Sequence, residues 1–427
     1  MSIAGILFLS FVGLLLANVP IALSLGVSSI IAMLVAGLPL DLLPMTIYAS
    51  IGKFTLLAIP FFILAGNTME KAGISDKLID LANKCVGHKK GGLAIVCVIT
   101  SCFFAAISGS GPATVAALGV IVIPAMMKAG YGKVMPSALM AASGSIGVII
   151  PPSIPFVVYG AIAGVSIGKI FVAGIVPGLL MGTALIIASL ILVKKMNIKQ
   201  EKKATGKEVW KAFLDAFWGL MMPIIILGGI YGGIFTPTEA AAVAAVYGIF
   251  IGMFVYKKIT IKSLYSLLNE SAIGSAIIMI IVACASFFAW FCTTEGIAEM
   301  VSQFLIDTSG NKITFLLLMN AILLIAGCFL DAISALYIFT PILLPVAIKF
   351  GYDPVVLGVV MTVNLAIGMI TPPVGVNLYV ACGVSKISLK EISMSVLPFL
   401  FATVTALLLI TYIPQITLFL PDIMGIK

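Results

Sequence analysis

Long apolar runs follow one another along nearly the whole chain, separated by short polar breaks. A helix needs about 20 apolar residues to cross a bilayer core, so this pattern predicts spanning helices. The runs place crossings near 3–17, 20–38, 53–69, 134–164, 170–193, 213–235, 238–256, 270–291, 354–384 and 392–412. Two further apolar pairs, 92–107 with 112–128 and 314–330 with 332–349, are each split by a tight polar break. Segments 40–52 and 260–268 read as short interfacial pieces. The expected fold is an all-α polytopic membrane protein with about ten transmembrane helices and two re-entrant helical hairpins.

Self-comparison organises these elements. A shift of 221 residues lays 110–177 over 331–398 without a gap. Pro124 meets Pro345, Gly130-Tyr131 meets Gly351-Tyr352, Gly147 meets Gly368, and Pro151-Pro152 meets Pro372-Pro373. Lys169 meets Lys390 and Pro177 meets Pro398. The halves are a first repeat, 1–195, with hairpin 92–128, and a second, 212–412, with hairpin 314–349. A linker, 196–211, joins them, and a tail, 413–427, follows. Each half holds five crossings plus one pair that returns to its own side. Five is odd, so the second repeat is inverted. Inverted repeats with interrupted helices point to a secondary transporter.

Composition narrows the class. The chain of 427 residues is 62% hydrophobic and 9% charged, with a mean hydropathy of +1.25. A typical soluble domain is about a quarter charged, so soluble enzymes and nucleic-acid binders are excluded. All 24 basic residues are Lys, set against 16 acidic ones, so the bidentate clamp that Arg offers carboxylates is missing. Seven Lys crowd 194–211, which the positive-inside rule places in the cytoplasm. Counting outward from there puts 19 of the 24 Lys inside. Both termini then face the periplasm, the first hairpin opens to the cytoplasm and the second to the outside. The seven Cys show no paired spacing and read as small apolar residues. His88 is the only histidine, which argues against zinc hydrolases and histidine triads. No cleavable signal peptide is evident.

Four breaks carry the candidate chemistry. The first hairpin turns at Ser108-Gly109-Ser110-Gly111-Pro112, and the second around Gly327 to Ser334. Asp331, the repeat partner of Ser110, is the carboxylate set deepest in an apolar run. Ionisable groups there mark functional sites by default, with helix capping as the plainer alternative. Two crossings are interrupted at Ser143–Ser153 and Asn364–Pro373, where Pro pairs release backbone carbonyls. Released carbonyls cannot face lipid. With Ser and Thr hydroxyls and little formal charge, they suit Na+ better than a divalent ion; helix kinking for packing is the alternative. One expected ion site combines Ser108 and Ser110 with carbonyls near Gly147, Ile150 and Pro152. Its repeat mate combines Gly327, Asp331 and Ser334 with Gly368, Thr371 and Pro373. Ser110, Thr114, Ser145, Ser153, Asp331, Asn364 and Asn377 lie at or near the breaks as candidates for an anionic substrate.

These motifs resemble the large membrane subunit of TRAP transporters, the tripartite ATP-independent periplasmic transporters of the wider ion-transporter superfamily. The specific parts are Ser108–Pro112, Ser145–Pro155, Asp331–Pro345 and Gly368–Tyr379; overall likeness leans to the sialic-acid branch. The resemblance implies a permease and no enzyme, in a bacterial inner membrane. It implies Na+-coupled uptake of an organic acid, sialic acid or a C4-dicarboxylate among the options, with Na+ as coupling ion and no other cofactor. A periplasmic substrate-binding protein would deliver the acid, and a small four-helix membrane subunit would brace this chain. No such extension precedes the first crossing, so that subunit is expected as a separate chain. An elevator-like shift of a transport domain against a scaffold is implied as well. Proton coupling through Asp331 is the competing transport reading. An intramembrane hydrolase lacks a histidine base, and a passive scaffold leaves four symmetric breaks unexplained.

Overall fold

The computed structural model describes residues 2–194, 196, 198 and 202–426. Among them every regular element is helical. The first half contains α1 (Ile3–Leu16), α2 (Ile21–Val35), α3 (Leu42–Ile51), α4 (Ala58–Lys71), α5 (Ile74–Val86), α6 (Gly92–Ser108), α7 (Gly111–Lys128), α8 (Val134–Gly144), α9 (Ile154–Ala163) and α10 (Ile167–Val193). The second contains α11 (Gly206–Tyr231), α12 (Pro237–Phe250), α13 (Ile261–Thr294), α14 (Ile297–Ser309), α15 (Lys312–Gly327), α16 (Ala332–Lys349), α17 (Pro354–Gly368), α18 (Val376–Ser385), α19 (Leu389–Tyr412) and α20 (Gln415–Ile423). Seven helices among the described residues are individually long and apolar enough to cross a membrane, and α3 with α4, bent by 59° at their break, passes the same length and apolarity test only as a pair. The other anticipated crossings consist of shorter apolar helices: α1, α2, α8 with α9, and α17 with α18.

The halves interlock by exchanging equivalents. Helix α4 packs on α12 as α13 packs on α2, and α7 packs on α18 as α16 packs on α9. Helices α5 and α14 both start at a left-handed glycine, Gly73 and Gly296. Each split pair is tied at its base by repeat-related residues. Lys312 Nζ donates to the Gly351 carbonyl at 3.1 Å, and the Phe315 and Phe350 rings stack at 5.3 Å. In the first half the Tyr131 hydroxyl lies against the backbone of Leu93 and Ala94. Ends that meet at the base make each pair a hairpin.

Residues 135–160 are all buried. Lipid tails are as apolar as Leu, so burial within a membrane rests on close packing by small residues. Ala138, Ala141, Ala142, Ser143 and Gly144 give α8 such a surface. The outer helices show the opposite character, with Leu16, Trp210, Tyr265 and Phe401 more than half exposed.

Four local readings change. Segment 260–268 is no separate interfacial piece. A capping box of Thr260 and Ser263 starts α13 at Ile261, and the helix runs 34 residues without a proline. Helix α11 begins at Gly206 behind a Thr205–Glu208 capping box, so the last six linker residues are helical. Linker positions 197 and 199–201, with Lys195 and Lys427, lie outside the described residues. Part of the tail is helix α20, which packs on α10. Helices α5 and α14 were not anticipated, although buried Ile74, Leu78 and Ala82 already show helical spacing.

Candidate functional site

The hairpin tips are built alike. Ser110 is the N-cap of α7 and Asp331 the N-cap of α16, so the two repeat partners occupy equivalent turns. Their side chains act differently. Asp331 accepts from the backbone N–H groups of Ile333 and Ser334, both at 3.0 Å, and from the Ser334 hydroxyl at 2.5 Å. The capping alternative for Asp331 is therefore realised. The Ser110 hydroxyl caps nothing in α7, which leaves it available to a ligand.

Around the first tip the expected groups converge. The Ser108 and Thr114 hydroxyls lie 3.2 Å apart, and Thr114 donates to the Ser110 carbonyl at 2.8 Å. A methyl group at Gly147 would fall 2.8 Å from both the Ser110 carbonyl and the Thr114 hydroxyl. Gly109 is left-handed, at φ +61°, and a side chain there would meet the Pro152 carbonyl at 2.8 Å. Only glycine gives both the conformation and the clearance. The tip is thereby pressed against the first proline break. Helices α7 and α9 begin here while α6 ends here, so partial positive and partial negative backbone ends share one small volume.

One wall comes from the other repeat. Asn377, at the start of α18, donates from Nδ2 to the Ala141 carbonyl at 3.2 Å. Its amide lies against Gly111 and Gly144. Asn377 is wholly buried, and its Oδ1 has no partner among the described residues. An unpaired buried acceptor is costly, and a cation would satisfy it. The donors fit a monovalent ion: hydroxyls, carbonyls and one amide oxygen.

The remaining candidates take other roles. Ser145 donates to Ala142 and Ser153 to the Val148 carbonyl across the break. The Ile150 side chain turns to Gly178 on α10. At the second break, a methyl on Gly368 would meet the Gly327 carbonyl carbon at 2.5 Å, so the two backbones touch. Thr371 donates to its own helix at Ile367, 2.7 Å, which leaves its oxygen lone pairs to accept. Asn364 lies behind this region, where its Nδ2 donates to Asn320 Oδ1 at 2.8 Å. Asn320 in turn donates to Thr411 at 3.2 Å. Asn320 is a site-supporting residue not expected from the four breaks, and its only sequence signal is an Asn amid apolar 314–330.

The breaks also differ in exposure. Pro151, Pro152 and Ser153 are buried, whereas Pro373 is exposed and Thr371 half-buried. The second tip exposes Phe329. Both Pro pairs carry a cis peptide bond.

Residues 8–416 match the family described as tripartite ATP-independent periplasmic transporter, DctM component. The chain belongs to this family. It is 39% identical over 99% of its length to the C4-dicarboxylate TRAP transporter large permease protein DctM of Rhodobacter capsulatus, covering 99% of that protein. It is 37% identical to the sialic acid TRAP transporter large permease protein SiaM of Vibrio cholerae, over 97% of each chain. A third relative, the isethionate TRAP transporter permease protein DctMQ of Oleidesulfovibrio alaskensis, is 47% identical over 97% of this chain. The chain spans 66% of that relative's length. The fold is similar to that of the Alcanivorax borkumensis YdaH transporter, with a TM-score of 0.64 at 15% identity, covering 87% of this chain and 88% of that one. Family membership makes the chain a multi-pass membrane transporter subunit of the permease type and not an enzyme.

Proposed function

We propose that this chain is the large permease of a Na+-coupled uptake system for a small organic anion. The first-hairpin tip carries the reading: the Ser108 and Thr114 hydroxyls meet the Ser110 carbonyl, and the unpartnered Asn377 Oδ1 lies against the next residue, Gly111, with no carboxylate among these groups. Such a set suits one desolvated monovalent cation. The second tip, Gly327 to Ser334 against Gly368 and Thr371, supplies the repeat-related ion site. With two cations held at the breaks, the N-termini of α7, α9, α16 and α18 complete an environment for an anion. Ser110, whose hydroxyl caps nothing, faces the substrate in this scheme.

Coupling follows from linkage. If the ions order the tips, the substrate binds only the ordered arrangement, and each enhances the affinity of the other. Movement assigns α6–α10 and α15–α19 to a transport bundle that slides as an elevator against a scaffold of α1–α4 and α11–α13. The cytoplasmic opening of the first hairpin, the outward opening of the second and the periplasmic termini belong to the same proposal. So do two partners, a periplasmic binding protein and a small four-helix subunit; the DctMQ relative carries a further third of chain. Sialic acid, the substrate expected from overall likeness, is one candidate among several, since the relative named for it is less similar (37%) than those named for isethionate (47%) and C4-dicarboxylates (39%). The relatives named for isethionate and C4-dicarboxylates define the rest of the test panel.

The competing reading is proton coupling, favoured by one observation: Asp331 is a half-buried carboxylate at a hairpin tip. Reconstituted permease with its small subunit and binding protein should accumulate one acid of the panel under an imposed Na+ gradient. Equal accumulation under a proton gradient without Na+ would replace the favoured reading by its rival.

A further inference from the structure

Between α11 and the first hairpin lies a groove that the transport reading does not use. Two adjoining cavities, about 820 and 590 Å3, share the walls Ile99, Phe103, Phe213 and Leu220. The groove's inner end reaches Ile107 and Ile150, next to the hairpin tip at Ser108. Its outer end carries Lys84, His88 and Lys203. Gly206 and Ile224 both line it, and 18 residues of helix span about 27 Å. One leaflet of a bilayer, headgroups included, is about 20–23 Å thick. The groove is therefore somewhat longer than one leaflet is thick and is polar at one end only.

One polar atom at this end lacks a partner among the described residues: Nδ1 of His88, which is buried. Lys84 bonds Asp80 at 2.8 Å, which raises the pKa of its ammonium above the ordinary value. Glu208 is nearby but is held in the capping box with Thr205. Asp80 and Asp215 act on Lys84 as Glu208 does, and these three carboxylates are outnumbered by Lys84, Lys203 and the flanking Lys89, Lys90, Lys202 and Lys207. A hydrated small anion gains nothing from the aromatic and aliphatic walls further in. An amphiphile with an anionic head matches both ends.

We propose that this groove binds one anionic phospholipid, its phosphate held by Lys203, His88 and Lys84 and an acyl chain running along α11 to Ile107 and Ile150. The chain end would then lubricate the face on which α6 and α10 meet α11, beside the first proline break. The site is independent of which anion is transported.

Native mass spectrometry of the full-length protein in detergent tests it, with dioleoyl phosphatidylglycerol, dioleoyl phosphatidylcholine and inorganic phosphate as probes. One phosphatidylglycerol should bind at least tenfold tighter than phosphatidylcholine. The double variant His88→Ala, Lys203→Glu should weaken phosphatidylglycerol about tenfold and leave phosphatidylcholine unchanged. Thr183→Trp, at an exposed position on the groove wall, should remove both lipids. Melting temperatures verify folding, and the head-group variant, at one half-buried and one exposed position, remains the test should Thr183→Trp unfold the protein. Equal binding of the two lipids, or wild-type phosphatidylglycerol affinity in the double variant, overturns the proposal. Displacement of the lipid by millimolar phosphate also overturns it, and assigns a soluble-anion site instead.

Discussion

Replacing Gly368 by Ala tests whether the second hairpin must touch its proline break. The added methyl would lie 2.5–2.6 Å from the Gly327 carbonyl carbon, Cα and oxygen, about 0.9 Å short of an ordinary 3.4 Å contact. All three obstacles are backbone, so no rotamer relieves them. Overpacking of this kind costs about 1–3 kcal/mol. Should that cost fall on the tip contact alone, the closed arrangement loses roughly 5- to 150-fold in population. Uptake in proteoliposomes is then expected to fall by that factor, with a rise in the Na+ concentration for half-maximal rate and little change in melting temperature. Gly327→Ala is the graded control, since its methyl meets Gly368 Cα at 3.1 Å; a smaller defect of the same kind should follow. Gly383→Ala in α18 meets nothing within 4 Å and should transport like the parent. Full uptake by Gly368→Ala at every Na+ concentration would refute the reasoning. An equal loss in Gly383→Ala would show that general helix effects were being read.

Other tests follow from the same geometry. Asp331→Asn keeps a good N-cap, since Asn and Asp cap about equally, so it should fold and assemble yet lose uptake; full activity would reduce Asp331 to a cap. Ser108→Ala and Thr371→Ala should each raise the half-maximal Na+ concentration, and an unchanged Na+ titration in both would remove them as ligands. Asn377→Leu should lower Na+ affinity at the first hairpin, which calorimetry of Na+ binding reads directly. For sidedness, single cysteines at Lys90 and Lys128, with exposed Cys85 replaced, should label from the cytoplasm only. Those at Lys312 and Lys349 should label from outside only, and labelling of Lys90 and Lys128 from opposite faces would contradict a re-entrant first hairpin.

Glycine and proline carried most of what the chain alone revealed. They interrupt helices by backbone geometry whatever the solvent, so the four breaks and the 221-residue repeat were readable, and Ser110 and Asp331 do occupy equivalent caps. What an equivalent position does was not readable. Asp331 bonds two backbone N–H groups that only the folded turn presents to it. Asn377 lies near the second break in sequence, yet the fold carries it to Ala141 of α8 and against Gly111 of the first hairpin. Helix α18 starts beside its own break but packs on α7, and no local pattern encodes that exchange. Helix α14 was legible in principle, with Ile297, Ala298 and Leu305 on one face, but the search for long apolar runs passes over short amphipathic helices.

The bond from Asn377 to Ala141 joins positions 236 residues apart in sequence. At a synthesis rate of about 5–20 residues per second, the ribosome needs roughly 12–47 s to cover that distance. Until Asn377 is made, the Ala141 carbonyl lacks its amide partner and Gly111 and Gly144 lack that cover. The first half alone therefore lacks one wall of its polar pocket. That wall arrives only with the last eighth of the chain, so a truncation before α18 would leave the pocket open on that side.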